Sequence, residues 1–169
     1  MLPVVAGTAP GTNEDARSWI TLTGRDVLGG DYSEVKVGTQ PACEEKCRTD
    51  AVCRAYSFDR WNRICYLKSS VGTVRLDPRI VSQVLASLKL TEQSSEPVMV
   101  AKRNKGFPDT GYSQSKTDNY EKCNSLCLTD QDCSGFNYRQ TDHVCTLIQF
   151  PSEYQTVVGT DLGSKIQSP

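Results

Sequence analysis

Eight cysteines carry most of the chemistry available to this 169-residue chain. A cysteine can close a disulfide, ligate zinc as the thiolate, or attack as a nucleophile. Spacing helps to choose among these fates. Cys43, Cys47, Cys53 and Cys65 are followed 80 positions later by Cys123, Cys127, Cys133 and Cys145, and both sets read C-x3-C-x5-C-x11-C. Structural zinc sites commonly use C-x2-C knuckles, which bring two thiolates from one turn onto one ion. Neither short spacing here is such a knuckle, so a pair of structural four-cysteine zinc sites is the weaker alternative. An even count with none left over points to four disulfides in an oxidising compartment. If all eight are crosslinked, no thiol remains as a nucleophile.

Other reactive constellations are sparse. His143, the one histidine, follows Asp142 at an expected hairpin tip. A Ser-His-Asp arrangement needs a buried, oriented imidazole, and an exposed tip reads as a polar turn. There is no Gly-rich phosphate loop or metal-ligand cluster, so no catalytic residue, metal or cofactor is expected. The first hairpin holds Arg54, Arg60, Trp61, Arg63 and Lys68. An exposed indole there could stack on a sugar or anchor a protein contact, while arginines grip carboxylate or sulfate. The plainer reading folds Trp61 back over the sheet edge and leaves the arginines solvated. The second copy has Ser134, Gln140, Thr141, His143 and Ile148 at these places, so such a site would not be duplicated.

The elements that position these residues occur twice. Under the same 80-residue shift Tyr32 meets Tyr112, Thr49-Asp50 meets Thr129-Asp130, and Tyr56 and Phe58 fall on Phe136 and Tyr138. A spacing kept without insertion marks an internal repeat. Residues 1–16 read as a flexible lead-in, 17–90 as module 1, 91–97 (TEQSSEP) as a linker, and 98–169 as module 2. In module 1 strands are expected at Ser18–Thr23, Val35–Val37, Ala55–Phe58, Ile64–Lys68 and Val81–Leu90, with a helix over Gln40–Arg48. Thr39 offers its N-cap, and Glu44 and Glu45 suit the positive end of its dipole. In module 2 strands are expected at Val98–Arg103, Gly135–Arg139, Val144–Phe150 and Leu162–Ile166. Asp118 with Glu121 forms a capping box for a helix over Asn119–Leu128. Each module is then one helix crossing an antiparallel sheet, an α+β arrangement.

Cys43 and Cys47 share one helix face. Four cysteines leave three pairings per module. The pairing ranked first closes Cys47–Cys53 as a tight corner and Cys43–Cys65 from helix to returning strand, with Cys127–Cys133 and Cys123–Cys145 by the repeat.

These residues resemble the PAN/apple superfamily. The resemblance is carried by Gly30-Asp31-Tyr32, the cysteine quartet, Tyr56 and Phe58, and Cys65-Tyr66-Leu67-Lys68. In module 2 it is carried by Gly111-Tyr112, the second quartet, Phe136 and Tyr138, and Cys145-Thr146-Leu147. It implies tandem modules, each a roughly five-stranded antiparallel sheet cradling a helix, with the pairing ranked first. It also implies non-catalytic recognition of proteins or carbohydrates in secreted or cell-surface molecules. No cysteine is left for the third disulfide of many apple domains, so the four-cysteine form, including bacterial versions, is the nearer likeness. The superfamily carries no common binding motif, and no ligand residue transfers from it.

Formal net charge is −1, which gives no overall pull toward nucleic acid or an anionic membrane. Residues 17–90 hold 12 Lys/Arg against 8 Asp/Glu, and residues 98–169 hold 7 against 8. The basic bias of module 1 suggests an acidic partner. No stretch approaches the roughly 18–20 apolar residues of a membrane span, and no export signal is recognisable at the start. The expected role is extracellular or periplasmic recognition. The alternative is an accessory or regulatory region of a larger secreted enzyme or protease inhibitor.

Overall fold

The computed structural model describes residues 17–168, so the lead-in expected over 1–16 lies outside the described residues. In the first module the chain runs β1 (Trp19–Val27), β2 (Asp31–Lys36), α1 (Gln40–Arg48), β3 (Ala55–Asp59), β4 (Ile64–Lys68) and β5 (Thr73–Leu85). The strands form an antiparallel sheet in the order β1-β5-β3-β4-β2. A short β6 (Thr91–Glu92), inside the expected linker, pairs in parallel with the start of β5. The second module runs β7 (Val98–Lys102), β8 (Lys105–Gly106), β9 (Ser113–Lys116), α2 (Tyr120–Thr129), β10 (Gly135–Arg139), β11 (Val144–Ile148), β12 (Gln155–Thr156) and β13 (Thr160–Ile166). Its sheet has the equivalent order β7-β13-β10-β11-β9, with β8 and β12 as a separate ribbon.

Local chemistry explains the helix starts. Thr39 caps α1 by accepting from the Ala42 N–H, and Pro41 occupies the first turn where no donor is needed. Glu44 and Glu45 fall beyond that first turn, so the expected dipole contribution is absent there. At α2 the cap is Asn119, whose Oδ1 accepts from Lys122 N at 2.9 Å, one residue after the expected Asp118. The extended backbone of Asn119 (φ −158°) is what aims its carboxamide at that donor. The last turn of α2 has no basic residue of its own. Lys165 of β13 supplies the charge, donating to the Cys127 and Asp130 carbonyls at 3.1 and 2.8 Å.

The largest departure from expectation is β5, which starts at Thr73 rather than Val81 and ends at Leu85. Asp77-Pro78 breaks the alternation on which a strand assignment rests. The sheet absorbs it as a bulge: register moves from Thr23↔Val81 to Arg25↔Leu76, with Gly24 at φ 68° opposite the extra residues.

The disulfides and the aromatic pairs fill the space between helix and sheet. Tyr56 and Phe58 are buried in the first core, and Phe136 and Tyr138 in the second. The repeated Tyr and Asp have a shared task. Tyr32 donates to Asp50 and Tyr112 to Asp130, both at 2.8 Å, tying the start of an edge strand to the turn after each helix.

Candidate functional site

The cysteines are scaffold. Cys43 is joined to Cys65, Cys47 to Cys53, Cys123 to Cys145 and Cys127 to Cys133, with no free cysteine among the described residues. Four bridges consume the thiolates that the zinc alternative required. The histidine is also occupied. His143 Nδ1 lies 2.7 Å from the Tyr138 hydroxyl, whereas Asp142 is held by Arg139 at 2.6 Å. The Arg139 hydrogen bonds keep the Asp142 carboxyl below the usual carboxylate range. His143 and Asp142 thus belong to separate pairs.

The five hairpin residues do not form one exposed surface, which corrects the expectation of a free basic tip. Lys68 is buried and paired with Asp31. Arg54 and Arg63 are exposed, but the length of β3 separates them, roughly 16 Å at the usual rise per residue. Arg60 and Trp61 turn toward module 2 and build the junction between the modules. Arg60 Nη2 donates to the carbonyls of Pro78 and, at 3.1 Å, Pro151; Trp61 Nε1 donates to the same Pro151 carbonyl at 3.3 Å. The indole packs on Phe107 and Tyr154, with ring centroids at 5.8 and 5.6 Å. Burial pulls the Arg60 guanidinium below its ordinary value, opposed by Asp109 and Asp59.

The tip can dock because of how Asp59 holds it. Asp59 Oδ1 accepts from the Trp61 and Asn62 N–H groups at 2.9 and 3.0 Å. On the other side, Asn137 fastens the Phe107 backbone, accepting from its N–H at 2.9 Å and donating to its carbonyl at 2.8 Å. The junction is closed at the far end by Gln167. Its N–H donates to Leu76 O and its Oε1 accepts from Leu76 N, both at 2.9 Å. Its Nε2 reaches the Gln93 and Ser95 carbonyls.

Between these two fastenings lies a cleft of about 460 Å³. Module 1 contributes Arg75, Asp77 and Arg79 from β5, together with Trp61. Module 2 contributes residues of β7 and β13, among them Val100, Lys102 and Ser164, together with Tyr154. Val100 and Ser164 are register partners, so they share one sheet face. Arg75 is held by Asp26 at 3.0 Å and Arg79 by Asp77 at 2.7 Å. The Asp77 hydrogen bond raises the Arg79 guanidinium above its ordinary value. Lys102 Nζ lies over the Tyr154 ring, 5.2 Å from its centroid. The cleft therefore offers aromatic surface beside paired donors and acceptors.

Sequence reasoning found Trp61 and missed Phe107, Tyr154, Pro151 and Gln167. None is matched by a like residue 80 positions earlier, where Val27, Val74, Val71 and Ser87 stand. That asymmetry between copies was the signal available. No described helix is long and apolar enough to cross a membrane.

The chain is similar to protein L719 of Acanthamoeba polyphaga mimivirus, at 35% identity over 56 residues, covering 33% of this chain and 16% of that protein. The match thus spans about a sixth of the relative's length. It is also similar to the solution structure of the two N-terminal apple domains of Toxoplasma gondii microneme protein 4. There the identity is 15%, coverage is 83% of this chain and 86% of the other, and the TM-score is 0.32. A model of the PAN domain matches residues 18–94 and again residues 98–165. PAN domains are modules that bind proteins or carbohydrates, and two matches spanning most of its length place this chain in the PAN domain family.

Proposed function

We propose that the chain is a non-catalytic recognition protein, secreted or periplasmic, that takes a carbohydrate or protein ligand in the cleft between its two modules. The observation that carries this reading is the cleft itself: about 460 Å³, within the range of roughly 300–1,000 Å³ of small-ligand sites. Its walls come from both modules, and aromatic surface lies beside convergent polar groups. The disulfide framework supports an oxidising compartment. The test is a screen of the full chain against glycan and protein arrays, repeated with Val100→Trp. Val100 is exposed on an edge strand and lines the cleft, so the larger side chain fills the site without entering a core. Loss of binding in that variant supports the cleft; binding unchanged in the variant refutes it.

A second reading makes this pair of modules an accessory region of a larger polypeptide. The mimivirus relative favours it, since the matching segment is 16% of that protein. The reading frame around the gene decides: a stop codon directly after Pro169 and an export signal directly before Met1 would exclude it.

A further inference from the structure

We infer that the cleft is a composite site for a neutral polyhydroxylated ring, a hexose or N-acetylhexosamine unit of a glycan, held by both modules at once. This rests on the proposal that the cleft is the ligand site and names the class of ligand it takes.

The first argument is charge. The basic surplus of module 1 suggests an acidic ligand, but it is not available here. Arg75 and Arg79 already face Asp26 and Asp77 at 3.0 and 2.7 Å, and Asp59 lies 3.9 Å from Arg79. Lys102 is the remaining cation of the lining, and Glu153 lines the same cleft. An anionic ligand would have to compete with resident carboxylates for both guanidinium groups.

The second argument is hydrogen-bond pattern. Arg79 and Asp77, which both line the cleft, set donors beside acceptors at fixed geometry. Vicinal hydroxyls are both donors and acceptors, so a sugar edge can satisfy such a pair without changing its charge. Ser164 adds a neutral hydroxyl on the opposite wall. The third argument is apolar surface. Trp61 and Tyr154 meet edge to face, at 90° and 5.6 Å, and both line the cleft. Amphipathic rings of this kind suit a ligand with apolar faces and polar edges. The polar grip belongs to both modules: Arg75 and Asp77 come from one, Lys102 and Ser164 from the other.

The test is calorimetric titration of the full chain with methyl glycosides of glucose, galactose, mannose and N-acetylglucosamine. Methyl glucuronide and a 6-sulfated galactoside serve as anionic comparators. The proposal expects a neutral glycoside to bind with less than about a twofold change in affinity between roughly 0.05 and 0.5 M salt, because screening acts on net charges. Arg75→Met in module 1 and Lys102→Met in module 2 should each weaken that binding about tenfold, with thermal unfolding confirming that both variants fold. Binding of anionic glycosides alone, weakened by salt, overturns the inference. So does neutral binding that responds to a variant in one module only. Failure of every glycoside while a protein ligand remains sensitive to Val100→Trp overturns the inference and leaves the cleft proposal standing. Glycoside binding unaffected by Val100→Trp overturns both.

Discussion

Truncating Trp61 to alanine tests whether the hairpin tip is a structural joint or a free contact. In the structure the indole makes two aromatic contacts, with Phe107 and Tyr154, and donates one hydrogen bond to Pro151 O. Each aromatic pair is worth about 0.5–1.5 kcal/mol beyond its buried area, and a hydrogen bond about 0.5–1.5 kcal/mol net. Trp61→Ala should therefore cost about 2–4 kcal/mol of stability in the docked chain. The repeat supplies an internal control. Thr141 occupies the same place on the second hairpin and is exposed, so Thr141→Ala should stay within about 0.5 kcal/mol. Urea unfolding followed by circular dichroism measures both, and calorimetry adds the coupling between modules. The intact joint should make the modules unfold together; without the indole they should separate into two transitions. If Trp61→Ala and Thr141→Ala shift the midpoint equally and the calorimetric profile is unchanged, the joint reading is refuted.

Four further outcomes follow from the structure. Replacing Cys43 and Cys65 by alanine should cost about 3 kcal/mol and replacing Cys47 and Cys53 about 2 kcal/mol, because the bridged residues are 22 and 6 apart; denaturant midpoints give the order. Burial and the Asp50 hydrogen bond push the Tyr32 phenol up to about 12, and Tyr112 is raised by the equivalent causes. With folded values above the unfolded value near 10, the stability these phenols contribute is whole below pH 10 and lost as pH rises toward about 12. Phenolate absorbance should show both titrating late, and Tyr32→Phe should flatten the alkaline loss. Conversely, the Val52 N–H and Tyr32 hydroxyl hold the Asp50 carboxyl low, so its contribution is present above the ordinary carboxylate range and lost as pH falls through the depressed value. Gln167→Ala removes three side-chain hydrogen bonds at the far fastening and should cost about 1–3 kcal/mol, with a smaller joint transition in calorimetry.

The repeat, both helices and the central hairpins could be read from residues alone, whereas the polar edge strand β9 (Ser113–Lys116) was not among the expected strands. Helix α1 could be placed because Thr39 and Pro41 encode its start and cysteines four apart share a face. The β3–β4 and β10–β11 hairpins could be placed because aromatic alternation and polar tips are local signals. Strand β5 was less readable, since a bulge that accommodates Asp77-Pro78 depends on Gly24, more than 50 residues earlier in the chain. The same limit applies, more strongly, to the cleft. The indole of Trp61 at a hairpin tip looks the same in sequence whether it faces solvent or Phe107 and Tyr154. Its fate depends on a contact surface that exists only after both modules fold and dock. Charge was hidden for a like reason: the surplus on module 1 can be counted, but the neutralisation of Arg75 by Asp26, 49 residues away, depends on sheet register. Short-range spacing encodes how each module folds, whereas the site between modules arises from pairings across distances over which a single sequence carries no pattern.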